Sequence, residues 1–171
     1  MPRMKFIAVA TPSLGAVSIE WASALRGLQL PLNSGYAECF CRDDLGGKIA
    51  ECRNMCVAKA LSYESDRCEF THILWLDDDV LFPRTALLRL LQHDRDIASG
   101  VYFTKADQPD PLIFPGRGCG TTPFVPDQAF ETWGHGMGLT LIKLGVYKHM
   151  RDELKLPRDE LGSPQWYKTP D

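Results

Sequence analysis

Up to residue 103 the chain alternates between two hydrophobic periods. Residues 5–10 are a nearly unbroken apolar run, as a central strand requires. Thr11-Pro12-Ser13 interrupts it. Residues 16–28 then place Ile19, Ala22, Leu25 and Leu28 on one side of a helix, and Pro31 closes that segment. Residues 36–41 read as a second short strand, residues 42–47 as a polar loop bearing Gly46 and Gly47, and residues 48–63 as a second helix. Residues 71–76 form the third strand. Phe82-Pro83 opens a third helix over 83–93, with proline near its first position and Leu87, Leu88 and Leu91 as its buried stripe. A fourth strand spans 96–103. This order predicts an α/β domain with a mostly parallel central sheet flanked by helices.

The remainder is patterned differently. Pro109, Pro111, Pro115, Pro123 and Pro126, with Gly116, Gly118 and Gly120, predict a long irregular segment, and such loops in compact domains tend to carry function. Short strands are expected at 128–133 and 139–143, a helix at 146–154, and an edge strand at 164–167. A length of 171 residues suits one domain with a real core. A net charge of -3 without a basic block excludes a broad surface that neutralises a nucleic-acid backbone. No apolar run approaches the roughly 18 residues of a membrane span. The apolar run at 6–10 is too short for a secretory leader, so the chain is read as cytoplasmic. Six cysteines contain no C-x-x-C pair and are read as packing thiols.

The informative chemistry is Leu76-Asp77-Asp78-Asp79-Val80, at the end of the third strand. Three carboxylates closing a buried strand call for a cationic partner, because isolated buried charge is costly. If the strand continues, Asp77 and Asp79 share a face. Carboxylate oxygens suit Mg²⁺ or Mn²⁺, and such a cation keeps neighbouring carboxylates ionised. The plain alternative is a solvated acidic turn. A P-loop nucleotidase is excluded, because Gly47-Lys48 is followed by Ile49, with Arg42 where the first glycine belongs. A haloacid-dehalogenase-like phosphotransferase, with Asp77 as nucleophile and Asp79 as acid, stays open; it departs from that pattern at Leu81. Arg53 lies beside the apolar stripe of the second helix. It has three possible partners, namely Asp77, Asp79 or a phosphate clamped in bidentate fashion. Asn54 is read as a local hydrogen-bonding residue.

Several segments in order resemble small family-2-like glycosyltransferases of the GT-A fold, of bacterial and phage type. They are Thr11-Pro12-Ser13, the "aRN"-like Ile49-Ala50-Glu51-Cys52-Arg53-Asn54, the DxD-like run ending in Asp77-Asp78-Asp79, the strand at 97–103, and Gly136-Met137-Gly138-Leu139-Thr140-Leu141-Ile142-Lys143. The resemblance implies a Rossmann-like GT-A domain over 1–171, with a nucleotide-sugar half at 1–105 and an acceptor half at 106–171. It implies metal-dependent transfer of a sugar from a nucleoside-diphosphate sugar to a hydroxyl acceptor, which could be a glycan, a small molecule or a modified nucleobase. Asp79 and Asp77 would hold Mn²⁺ or Mg²⁺. Donor contacts would come from Thr11, Pro12, Ser13, Asp43, Arg53, Asp77, Asp78, Gly136 and Gly138. His135 is a further candidate metal ligand, or an acceptor contact. Trp133 would stack a sugar or fill the core. The glutamate–aspartate pair that supplies a general base in relatives has no clear counterpart, which leaves Asp127 and Glu131 as candidates or a domain that binds nucleotide without turnover.

Overall fold

The computed structural model describes residues 3–13, 15–42, 49–63, 65, 67–121, 123–159 and 162–168. The elements run β1 (Met4–Ser13), α1 (Ile19–Arg26), β2 (Ser34–Arg42), α2 (Ile49–Ser62), β3 (Cys68–Leu76), α3 (Ala86–Gln92), β4 (Ile97–Ser99), β5 (Ile113–Phe114), β6 (Gly134–His135), β7 (Leu139–Lys143) and α4 (Leu144–Asp152). Five strands build one mixed sheet in the order β2-β1-β3-β7-β4, and β5 and β6 pair as a separate ladder. β1 is parallel to both β2 and β3, whereas β7 runs antiparallel to β3 and to β4. Only β7 is therefore reversed within the main sheet. Among the described residues no helix is long and apolar enough to cross a membrane.

Strand alternation divides the core in two. Ala8, Ala10, Ile73 and Trp75 face α2 and α4, whereas Ile7, Val9, Leu74 and Leu76 face α1 and α3. Both faces of β1 and β3 are covered, which is why their sequences read as apolar runs without alternation. Pro12 stands beyond the last β1–β3 pair, Ala10 with Trp75, and is flanked by β2 alone, in register with Cys41. Cys39, Cys41, Cys52 and Cys56 pack into the α2 face as buried side chains. Burial pushes the Cys56 thiol up to about 12 and the Cys39 thiol to about 11, so both stay protonated at neutral pH.

Four expectations need correction. The fourth strand is three residues long, and the Gly100 N–H that follows it makes one last bond to the Leu139 carbonyl of β7. No strand covers 128–133; the pairing falls one step later, at Gly134–His135, against Ile113–Phe114 inside the segment expected to be irregular. The turn at Asp127, with φ of 62°, precedes it. No edge strand forms at 164–167; a single bridge joins Arg158 to Pro164.

Candidate functional site

β3 ends on four consecutive buried residues, Ile73 to Leu76, and Asp77 follows at the C-terminal ends of the parallel strands. In open α/β sheets ligands bind at that end. The strand does not continue through Asp79. Residues 78–79 form a turn, closed by the Val80 N–H donating to the Asp77 carbonyl at 3.2 Å. The turn carries Asp79 into water, its side chain 53% exposed against 25% for Asp77, and so separates charges that a strand would stack on one face.

Asp77 is fixed on three sides. Its N–H donates to the Gly138 carbonyl at 3.0 Å, and its carbonyl accepts the indole N–H of Trp21 at 2.9 Å. Its carboxylate accepts Nη2 of Arg53, with Oδ1 at 3.1 Å and Oδ2 at 3.4 Å. α2 delivers Arg53 to the sheet face from which Trp75 also projects. The guanidinium lies in the corner of two rings set at 79° to each other, 5.8 Å from Trp75 and 5.9 Å from Tyr167. Arg53 Nε is buried, with no acceptor among the described residues. Burial raises the Asp77 pKa above its ordinary 3.8; the Arg53 charge opposes this, while the Asp79 and Asp78 charges add to it. Asp79 pairs with Lys105 Nζ at 2.9 Å, both side chains more than half exposed, so that contact contributes only about 0–1 kcal/mol.

The other candidates fall in several places. Thr11 is fully buried, its hydroxyl unpaired among the described residues, and Pro12 is buried. Ser13 lines a cleft of about 250 Å³ with Gly15, Ala16, Val17, Phe40 and Cys41, at the C-terminal ends of β1 and β2. Asp43 lies outside the described residues. His135 Nδ1 lies 2.7 Å from the Gly136 carbonyl, and since a carbonyl only accepts, Nδ1 is the donor of that contact. Asp127 is exposed, and Glu131, 94% exposed, reaches Arg95 at 3.9 Å, a residue preceding β4 at the sheet end opposite Asp77. Among the described residues no hydrogen bond or ion pair ties either acid to the Asp77–Asp79 turn, and no group of three or more His, Cys, Asp or Glu side chains is placed to hold a metal by itself. Trp133 is 65% exposed, so it does not serve the core. Asn54 bonds not locally but to the backbone of Tyr167, across 113 residues.

Gly136 and Gly138 both pack against Tyr102. A Cβ at Gly136 would overlap the Tyr102 hydroxyl and lie 2.7 Å from its Cζ; at Gly138 it would lie 2.8 Å from Val80 Cγ2 and 3.0 Å from Tyr102 Cζ. The close approach they permit is to Tyr102, whose hydroxyl accepts the Gly138 N–H at 2.7 Å. Gly138 thus links Tyr102 to the backbone of Asp77. We expect Gly136→Ala to lower stability by about 1–3 kcal/mol in chemical denaturation, with Tyr102→Leu in the same chain restoring most of it. A Gly136→Ala variant as stable as wild type would refute that packing role.

Tyr102, Tyr167 and Trp21 carry no site signal in the sequence. Each lies far in sequence from the acid it helps to place, and a lone aromatic residue signals core before it signals a site. No protein-family model matches this chain, and no curated protein matches it.

Proposed function

We propose that the chain is a cation-dependent glycosyltransferase of the GT-A type, which takes a nucleoside-diphosphate sugar and transfers the sugar to a hydroxyl acceptor. One observation carries this reading. Two segments of the resemblance, the "aRN"-like helix and the DxD-like turn, meet in the Arg53–Asp77 ion pair at the C-terminal strand ends. The cleft beside Ser13 and Phe40 adds an apolar slot at the same sheet end, suited to a nucleoside.

The donor set fits a hard divalent cation. The charge of Asp79 is felt at Asp77, and Asp79 Oδ2 already faces a cationic group, Lys105. That surface pair is weak enough to yield to a dication. Asp79, aided by Asp77 or Asp78, would hold Mn²⁺ or Mg²⁺, which supplies neutralisation of charge on the departing diphosphate. Lys105, released from Asp79, would turn to a phosphate oxygen. Arg53 Nε, buried and without an acceptor among the described residues, offers a donor to the same anion. Asp77, pinned through its backbone and through Arg53, keeps the carboxylates preorganised.

Thermal-shift titration tests this directly. UDP-, GDP-, CDP- and dTDP-linked sugars are each added with and without Mn²⁺, to wild type and to Asp79→Ala. A donor at about 100 times its Kd stabilises by about 2.7 kcal/mol, roughly 5–10 °C for a domain of this size. We expect such a rise for one nucleotide class, dependent on Mn²⁺ and absent in Asp79→Ala. No shift with any donor would sink the reading.

A further inference from the structure

The geometry points to Tyr167 as a positioning residue for the Arg53–Asp77 pair, which makes the segment around 164–168 part of the candidate site rather than an appended edge. The consequence for donor binding rests on the transferase reading; the positioning itself does not.

Two sets of contacts hold Tyr167 and a third holds its neighbour Trp166. Asn54, next to Arg53 on α2, holds its backbone with two hydrogen bonds: Nδ2 donates to the Tyr167 carbonyl at 3.0 Å, and Oδ1 accepts the Tyr167 N–H at 2.8 Å. The phenol lies 2.7 Å from the Tyr147 hydroxyl, which accepts the indole N–H of Trp75 at 2.8 Å. Trp166, buried beside it, donates its indole N–H to the Tyr147 carbonyl at 3.0 Å. The Tyr167 ring therefore stands at a fixed angle to Trp75, and Arg53 occupies the corner between them.

An arginine side chain has several rotatable bonds, and freedom at its tip blurs any carboxylate it binds. Asp77 fixes one edge of the guanidinium through Nη2. Trp75 covers it on one side. Without a second ring the head could swing out toward water and leave Asp77 unpaired. Tyr167 closes that route. Adjacent residues of one helix thus act together, Asn54 anchoring the segment and the segment confining Arg53.

The test uses the whole chain and no ligand. In ¹⁵N-labelled protein the Arg53 Nε–H signal is identified by its loss in Arg53→Lys, and its exchange with water is measured. We expect Tyr167→Leu to speed that exchange by on the order of tenfold, while Tyr167→Phe, which keeps the ring, stays within about twofold of wild type. Asn54→Ala, which detaches the segment without touching Arg53, should resemble Tyr167→Leu and decides the matter if that variant fails to fold. Unchanged Arg53 exchange in both Tyr167→Leu and Asn54→Ala, whatever their melting temperatures, would overturn the proposal. Under the transferase reading, Tyr167→Leu also loses the Mn²⁺–nucleotide thermal shift that Tyr167→Phe retains. Because the exchange measurement needs no nucleotide, it stands even if no donor binds.

Discussion

Replacing Arg53 by Met should destabilise the protein by about 2–4 kcal/mol near neutral pH, toward the lower part of the range for broken buried ion pairs because Asp77 keeps some exposure. Methionine fills much of the volume between Trp75 and Tyr167, so packing loss is a minor part. The main cost is a carboxylate left in a desolvated position beside two more carboxylates. In the wild type the Arg53 charge already fails to offset burial, and the Asp77 pKa stands above its ordinary value. Without Arg53 it rises further. A carboxylate with a raised folded-state pKa contributes stability that is fully present below its unfolded value and is lost as pH rises through the folded value. The deficit of Arg53→Met should therefore be larger at neutral pH than on the acidic side, shrinking as pH falls and Asp77 takes up a proton. Urea denaturation at neutral and acidic pH checks it. A deficit that does not change with pH would mean that packing, not charge, is what Arg53 supplies.

The same residues show what the sequence could and could not disclose. β1, β3 and their apolar runs were legible because both faces of these strands are buried, and the acid turn was legible because three carboxylates directly after such a run demand a cation or water to meet them. Arg53 was legible as a cation needing a partner, but whether that partner was Asp77 or Asp79 depended on where β3 stops. Strand period would place both acids on one face, whereas repulsion and access to water favour a turn after Asp77. β5 and β6, two residues each, are too short to leave a periodic trace, so their ladder was invisible inside a proline-rich stretch. The reversed direction of β7 has no local signature, since its residues, buried on both faces, read alike in either direction. The aromatic residues around Arg53 were hidden for another reason. Trp75, Tyr147 and Tyr167 are joined by hydrogen bonds across 72 and 20 residues, and nothing in a single sequence ties such distant positions together.

Asp77→Asn should separate stability from function in opposite directions. The substitution keeps the shape and one oxygen acceptor for Arg53 Nη2, and it removes the ionised group that burial and the neighbouring acids disfavour. Stability near pH 7 should therefore be equal to wild type within about 1 kcal/mol, or higher, because the penalty of holding Asp77 charged disappears. It should also become less dependent on pH through the acidic range, since the group whose folded-state pKa is raised no longer titrates. Binding should move the other way. An amide has no charge to offer a divalent cation, so the Mn²⁺-dependent thermal shift with a nucleotide-sugar should fall at least tenfold in apparent affinity, about 1.4 kcal/mol. In the wild type that affinity should weaken as pH falls, beginning above the ordinary carboxylate range, because protons compete with the cation for a carboxylate whose pKa is already raised. A residue kept for the fold alone would lose stability when neutralised and leave binding unchanged. A more stable protein that binds less is the result expected of a carboxylate held ionised, against its own solvation, for a ligand. An Asp77→Asn protein that is markedly less stable while its cation-dependent binding is intact would assign Asp77 to the fold and leave Asp79 and Asp78 to carry the cation.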